Sequence, residues 1–306
     1  MPRRCGPEGR KSCSDVLSNG RRRPPVTNSG GARGAAGLPL RGEKCRRCGP
    51  ASACCGQLAP TATDGHRRLR RDESAGTHGR ALCAGDRQTG RPAVVFVPAL
   101  GVPEDLMNVA SECGKWTRSV LLDVLGPAGR VDLPTFATAV AEWLKVTADA
   151  PVVLAGHSTG AQAALHAAVQ MPGAVRALVL MSPTFPPHLR QVPALLRATF
   201  RNVAHESLGV WRAVLPGCVR IGAVTLFRLL RSAQHDQPEA TIADVRCPVL
   251  VVRGEQDPFC PEPWATRLSN TARRGQCVNV PGAHGFPHQH GTNTSALIAE
   301  FTERCT

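Results

Sequence analysis

From Arg91 onward, short unbroken apolar runs alternate with stretches in which apolar residues recur every three or four positions. The first pattern fits strands buried on both faces; the second fits helices with one face on a core. Strand-like runs occur at 93–97, 119–124 (ending in turn-forming Gly126-Pro127), 151–155, 175–181, 248–252 and 276–280. Between them, 133–146 places Phe136, Ala139, Val140, Trp143 and Leu144 at helical spacing, and Asp132 before Leu133-Pro134 makes a good helix start. A second helix follows at 161–170 and stops near Pro172-Gly173, and 295–301 closes the chain as a third. Strand and helix in alternation predict an α/β fold with a mostly parallel central sheet flanked by helices.

The alternation breaks once. Residues 183–246 contain no strand run but many apolar positions at helical spacing, among them Leu189, Leu196, Phe200, Trp211, Phe227 and Leu229. An interval that long inside one domain carries function more often than not, and it reads as a helical cap at about 185–246. Of the two hairpin strands that would ordinarily precede the first buried strand, the sequence hints only at 80–84.

Composition divides the chain unequally. Residues 1–90 hold 18 of the 37 Lys and Arg but 7 of the 23 acids, and no Phe or Trp. Such a stretch cannot bury enough apolar surface to offset its backbone entropy. It is expected to be a disordered basic leader, or an overextension of a start nearer Arg80, with the folded domain spanning 91–306. The net charge of +14 is thus mostly the leader's. With no aromatic residue there to stack on bases, nucleic acid is not an expected partner. No stretch has the apolar length of a signal peptide or membrane span, so the expectation is a soluble cytoplasmic protein of open oligomeric state. The 13 cysteines lack a repeated spacing, and the one metal-like knuckle, Cys45 to Cys48, is followed by adjacent Cys54-Cys55. Tetrahedral zinc is poorly served by that arrangement, and reduced thiols with no metal site are expected.

Candidate chemistry begins at Gly156-His157-Ser158-Thr159-Gly160, a G-x-S-x-G pentapeptide lying directly between a predicted strand and a predicted helix. There Ser158 would occupy a strained turn, with Gly156 and Gly160 letting strand and helix approach closely. A serine hydroxyl needs a base, itself held by an acid, in the chain order nucleophile, acid, histidine. Asp257 follows the strand at 248–252 and has Pro258 fixing a turn behind it; Glu255 competes. His284 lies in the loop nearest the end of the last strand, with His288 and His290 as alternatives. The developing oxyanion would be met by the backbone N–H of Thr159 and by that of Leu100 in the loop after the first parallel strand, Ala99 being the second choice.

The segments VFVPALG (95–101), GHSTG (156–160), CPVLVVRGEQDP (247–258) and VPGAHGF (280–286) resemble the α/β-hydrolase superfamily, especially small capped serine hydrolases of bacterial type. That resemblance implies the α/β-hydrolase fold, Ser158 as nucleophile, Asp257 as orienting acid, His284 as base, and neither metal nor organic cofactor. In one departure, Ala99 stands where the family commonly has glycine, and a positive φ there would cost on the order of 1 kcal/mol.

The expected activity is hydrolysis of a carboxylic ester through an acyl-enzyme, with a small ester-like substrate whose apolar group suits an apolar cap. The same residue types would equally serve a thioester, an amide, perhydrolysis or a carbon–carbon bond substrate. A non-catalytic binder is the remaining alternative.

Overall fold

The computed structural model describes residues 70–72, 80–85, 90–123 and 131–305, all within one compact unit that runs from Thr63 to Thr306. Most of the basic leader, the Cys45–Cys55 cysteines and the Gly126-Pro127 turn lie outside these residues.

Among the described residues eight strands form one sheet: β1 (Arg70–Asp72), β2 (Arg80–Ala84), β3 (Val94–Val97), β4 (Ser119–Asp123), β5 (Val152–His157), β6 (Val175–Met181), β7 (Val249–Gly254) and β8 (Gly275–Val280), in the order β1-β2-β4-β3-β5-β6-β7-β8. From β4 to β8 every neighbouring pair is parallel, while β1 and β2 are antiparallel at one edge. The six strand-like runs correspond to β3 through β8. The sheet nevertheless begins upstream of Arg91, inside the stretch that composition assigns to a disordered leader. An edge strand needs little apolar area, and β2 supplies buried Ala81 and Ala84 and a full ladder to β4, from Arg80 opposite Asp123 to Ala84 opposite Ser119.

The ten helices among the described residues are α1 (Met107–Cys113), α2 (Leu133–Thr147), α3 (Thr159–Gln170), α4 (Val192–His205), α5 (Leu208–Ile221), α6 (Ala223–His235), α7 (Pro238–Thr241), α8 (Glu262–Thr271), α9 (Phe286–Gln289) and α10 (Gly291–Arg304). Asp132 caps α2 as its sequence suggests, accepting the Thr135 N–H at 2.9 Å. Residues that alternate along each central strand enter two separate cores. Val95 and Val97 of β3, Leu154 of β5 and Val251 of β7 pack with Phe136 and Leu144 of α2, Leu165 of α3 and Trp264 of α8. Phe96, Val153 and Leu250 face the other way, onto Val109 of α1 and Ile298 and Phe301 of α10. Burial on both faces is why these strands read as unbroken apolar runs.

The interval between β6 and β7 holds α4 to α7, preceded by a short 3-10 turn at Pro187–Arg190. Only part of its apolar periodicity points inward. Leu189, Ile221 and Leu229 are buried, but Leu196, Phe200, Trp211 and Phe227 are exposed.

The chain runs from β3 outward to β4 and then returns to β5 on the other side of β3. Such a reversal marks the carboxyl ends of β3 and β5 as the place where open parallel sheets bind ligands.

Candidate active site

β5 ends at His157 and α3 starts at Thr159, so Ser158 alone makes the turn, at φ 55° and ψ −122°. That left-handed backbone is costly for a residue with a Cβ and persists because the surroundings over-determine it. The Ser158 N–H donates to the Met181 carbonyl at 3.0 Å, and the Ser158 carbonyl accepts the Ala161 N–H at 3.0 Å. The flanking glycines leave room for nothing larger. A Cβ at Gly156 would lie 2.4 Å from the Gly160 carbonyl oxygen, and one at Gly160 would lie 2.3 Å from that of Val97.

His284 follows β8, and its Nε2 lies 3.0 Å from Ser158 Oγ. Its Nδ1 lies 3.0 Å from Asp257 Oδ2. With the proton on Nδ1, the ring donates to the carboxylate and offers Nε2 to the serine hydroxyl. Asp257 is buried just beyond β7, where its Oδ1 also accepts the Phe259 N–H at 2.8 Å. Burial works to raise its pKa, but the attraction and hydrogen bond of His284 outweigh that, with the Phe259 N–H adding to them, and hold the carboxyl below its ordinary range. The competitors fall away. Glu255 is exposed, and His288 and His290 belong to the turn at α9, where the His288 carbonyl accepts from Asn108 at 2.6 Å.

The loop after β3 also differs in detail from the sequence expectation. Ala99 has an ordinary negative φ; the left-handed residue is Leu100, at φ 51°, followed by Gly101 at φ 67°. The strain anticipated at the glycine position sits one residue later. The Leu100 N–H reaches the elbow but donates to Thr159 Oγ1, at 2.8 Å. The Thr159 N–H opens α3, whose first amide groups have no acceptor within the helix.

A second buried network, invisible in the sequence, braces this arrangement. His157 Nδ1 lies 2.6 Å from Asp105 Oδ2, and its Nε2 lies 2.9 Å from the His284 carbonyl oxygen. A carboxylate and a carbonyl both accept, so both ring nitrogens carry protons and His157 is an imidazolium. Burial opposes charge on both partners, yet mutual attraction prevails: the His157 pKa is raised and the Asp105 pKa lowered. Asp105 Oδ2 also accepts the Ala99 N–H at 3.2 Å. One carboxylate thereby links the β3 loop, the elbow and, through His157, the backbone of His284. The His157 and His284 rings stand 4.9 Å apart. From the cap side, Glu206 accepts the Gly285 N–H at 2.8 Å and Asn202 the His284 N–H at 3.4 Å. Asp105 carried no motif. Its position just past the β3 loop is the only signal that could have singled it out.

A model described as the alpha/beta hydrolase family matches residues 94–297, and no curated protein matches the chain by sequence. Among solved structures, a serine hydrolase involved in carbazole degradation superposes with a TM-score of 0.58 at 18% identity, covering 74% of this chain and 94% of its own. The thioesterase domain from the curacin biosynthetic pathway gives 0.57 at 16% identity, with 76% and 99% covered. A thermophilic esterase from Thermogutta terrifontis gives 0.56 at 15% identity, with 78% and 99% covered. At such identities the likeness is one of fold.

Proposed function

The chain belongs to the alpha/beta hydrolase family, and from that premise we propose that it hydrolyses carboxylic esters through an acyl-enzyme on Ser158. The observation that carries the proposal is the continuous relay from Ser158 Oγ through His284 to Asp257, with both contacts at 3.0 Å. As Oγ attacks the ester carbonyl carbon, His284 Nε2 takes the hydroxyl proton. The resulting oxyanion is met by the N–H groups of Thr159 and Leu100, and it displaces the Thr159 hydroxyl from the latter. Each such donor is worth about 3 kcal/mol in the transition state. His284 passes its proton to the departing alcohol oxygen, leaving the acyl group on Oγ. It then removes a proton from water as that water attacks the acyl carbon, and the carboxylic acid leaves with Oγ reprotonated. Asp257 stays ionised throughout and stabilises the transient imidazolium. An apolar acyl or alcohol group is the expected preference, and the short fold-level kinship with an esterase and a thioesterase is consistent with acyl transfer.

The test is a chain-length series of p-nitrophenyl esters on the full protein and on Ser158→Ala. Ser158→Ala should lower kcat by on the order of 10^4-fold or more while retaining the wild-type melting temperature. A fluorophosphonate probe should label the wild-type serine and spare the variant. Folded wild-type protein that resists the probe and turns over no ester would favour a non-catalytic binder instead.

A further inference from the structure

We propose that the outer face of the cap is a docking surface for anionic phospholipid membranes. Ten of the twelve large apolar side chains exposed among the described residues lie on α4, α5 and α6. They are ordered. On α4, Val192, Leu196, Phe200 and Val203 recur at helical spacing along one stripe, with Phe200 74% exposed. On α5 the stripe is Leu208, Trp211, Leu215 and Val219, and on α6 it continues with Val224 and Phe227, 67% exposed. Apolar residues at this period ordinarily face a core. Here they face outward, on the largest concentration of exposed apolar surface among the described residues, which marks an interaction site rather than scatter.

The charge pattern identifies the partner. The three helices carry six arginines and no acid, and Arg197, Arg201, Arg212 and Arg228 each follow an exposed apolar residue directly, on the shoulder of its stripe. Glu206, between α4 and α5, is engaged with the Gly285 N–H. An apolar stripe edged by arginine is the design of a helix lying in a lipid interface, with apolar groups in the acyl boundary and guanidinium groups among anionic headgroups. Arg220 is paired with Glu104 at 2.7 Å, and a second copy of this chain would bring the other five arginines against five of the same sign. The leader, with its net +11, would be repelled in the same way. Nucleic acid offers no hydrocarbon to the aliphatic stripes. Insertion across the bilayer does not fit either: α5 spans about 21 Å, less than the hydrocarbon core, and α5 and α6 meet at 101°. Lying on the surface is what remains.

The experiment is co-sedimentation of the full chain with vesicles of phosphatidylcholine alone, or with about one lipid in four replaced by phosphatidylglycerol. Binding should require the anionic lipid and weaken with salt. It should fall roughly tenfold or more in Phe200→Ser/Phe227→Ser, and likewise in Arg197→Gln/Arg201→Gln/Arg212→Gln. Both sets alter exposed positions and should keep the wild-type melting temperature. Should the apolar variant misfold, quenching of wild-type Trp211 fluorescence by brominated acyl chains, absent in Trp211→Phe, reads the same contact. Unchanged binding in both sets would assign the membrane affinity to the leader and overturn the proposal. So would absence of vesicle binding together with a dimer that Phe200→Ser/Phe227→Ser converts to monomer. Activity on a soluble ester is read separately; vesicle binding by a protein that turns over no ester leaves the docking surface standing and removes only the hydrolase reading.

Discussion

At the residue scale the unusual feature is a buried imidazolium at the last position of β5, directly before the nucleophile turn. His157 donates from both ring nitrogens, to Asp105 and to the His284 carbonyl, so its protonation and the placement of His284 are one equilibrium. Asp105→Asn removes the charge that holds the proton. Breaking a buried pair of this kind costs about 3–5 kcal/mol, and the variant should melt lower and lose roughly ten- to a hundredfold in kcat, with KM little changed. The pH dependence separates positioning from simple damage. The folded-state pKa of His157 is raised, so its contribution is complete below about pH 6.5 and is lost as pH rises through the folded value. Those of Asp105 and Asp257 are lowered, so their contributions are present above about pH 4 and are lost as pH falls further. Wild-type melting temperature should therefore decline at both ends, and Asp105→Asn should lose the alkaline decline; a thermal melt series across pH that keeps it would refute the linkage. Ser158, Asp257 and His284 were legible in sequence because each follows a strand end in a fixed order. Asp105 was not, since its meaning depends on a contact across 52 residues that no periodicity announces. Leu100 shows the same limit: the loop was legible, but which residue takes the left-handed backbone was not.

Elements were legible to the degree that burial is symmetrical. Strands β3 to β7 are covered on both faces over nearly all their length, and their sequences are apolar apart from Ser119, Asp123, His157, Arg176 and Arg253, which lie at or near strand ends. β1 is only three residues long, Arg70-Arg71-Asp72, and carries no apolar pattern at all; its place is set by the ladder to β2. The short α1, with seven residues, leaves too few turns to show a period. In the cap the period was visible but its direction was not, because three helices present apolar stripes to solvent while smaller residues such as Ala198, Gly217 and Ala233 are buried. One consequence belongs to α4. The residues at and just past its end, Asn202 and Glu206, accept the N–H groups of His284 and Gly285, so the cap helps hold the histidine loop. Glu206→Ala leaves the Gly285 amide without that acceptor, an omission worth about 1–3 kcal/mol. It should lower kcat roughly tenfold with Ser158 still reactive to a fluorophosphonate, and amide exchange at Gly285 should quicken; unchanged exchange would dissociate the cap from the loop.

At the scale of the whole molecule the decisive question is where the fold begins. Composition breaks at about residue 90, whereas the sheet starts at Arg70. β2 covers the edge of β4 along five paired residues, and the strand beneath it, with Val120, Leu121 and Leu122, is almost wholly buried. The turn that ends β2 is equally committed: Gly85 sits at φ 82°, so close to the Thr117 carbonyl that a Cβ would lie 2.2 Å from its oxygen. A chain beginning at Thr63 keeps all of this and sheds most of the leader's charge. It should melt with the full protein and hydrolyse esters at the same kcat/KM. A chain beginning at Arg91 loses the β2 ladder and bares an apolar edge, an invitation to edge-to-edge pairing. Loss of the five-pair ladder, whose backbone bonds contribute about 1 kcal/mol each, predicts a drop of roughly 10 °C or more in melting temperature, with aggregation on heating. Thermal melts and light scattering of the two truncations against the full chain decide it, because a stable, monodisperse chain starting at Arg91 would mean that the antiparallel edge adds nothing to the core that carries the site.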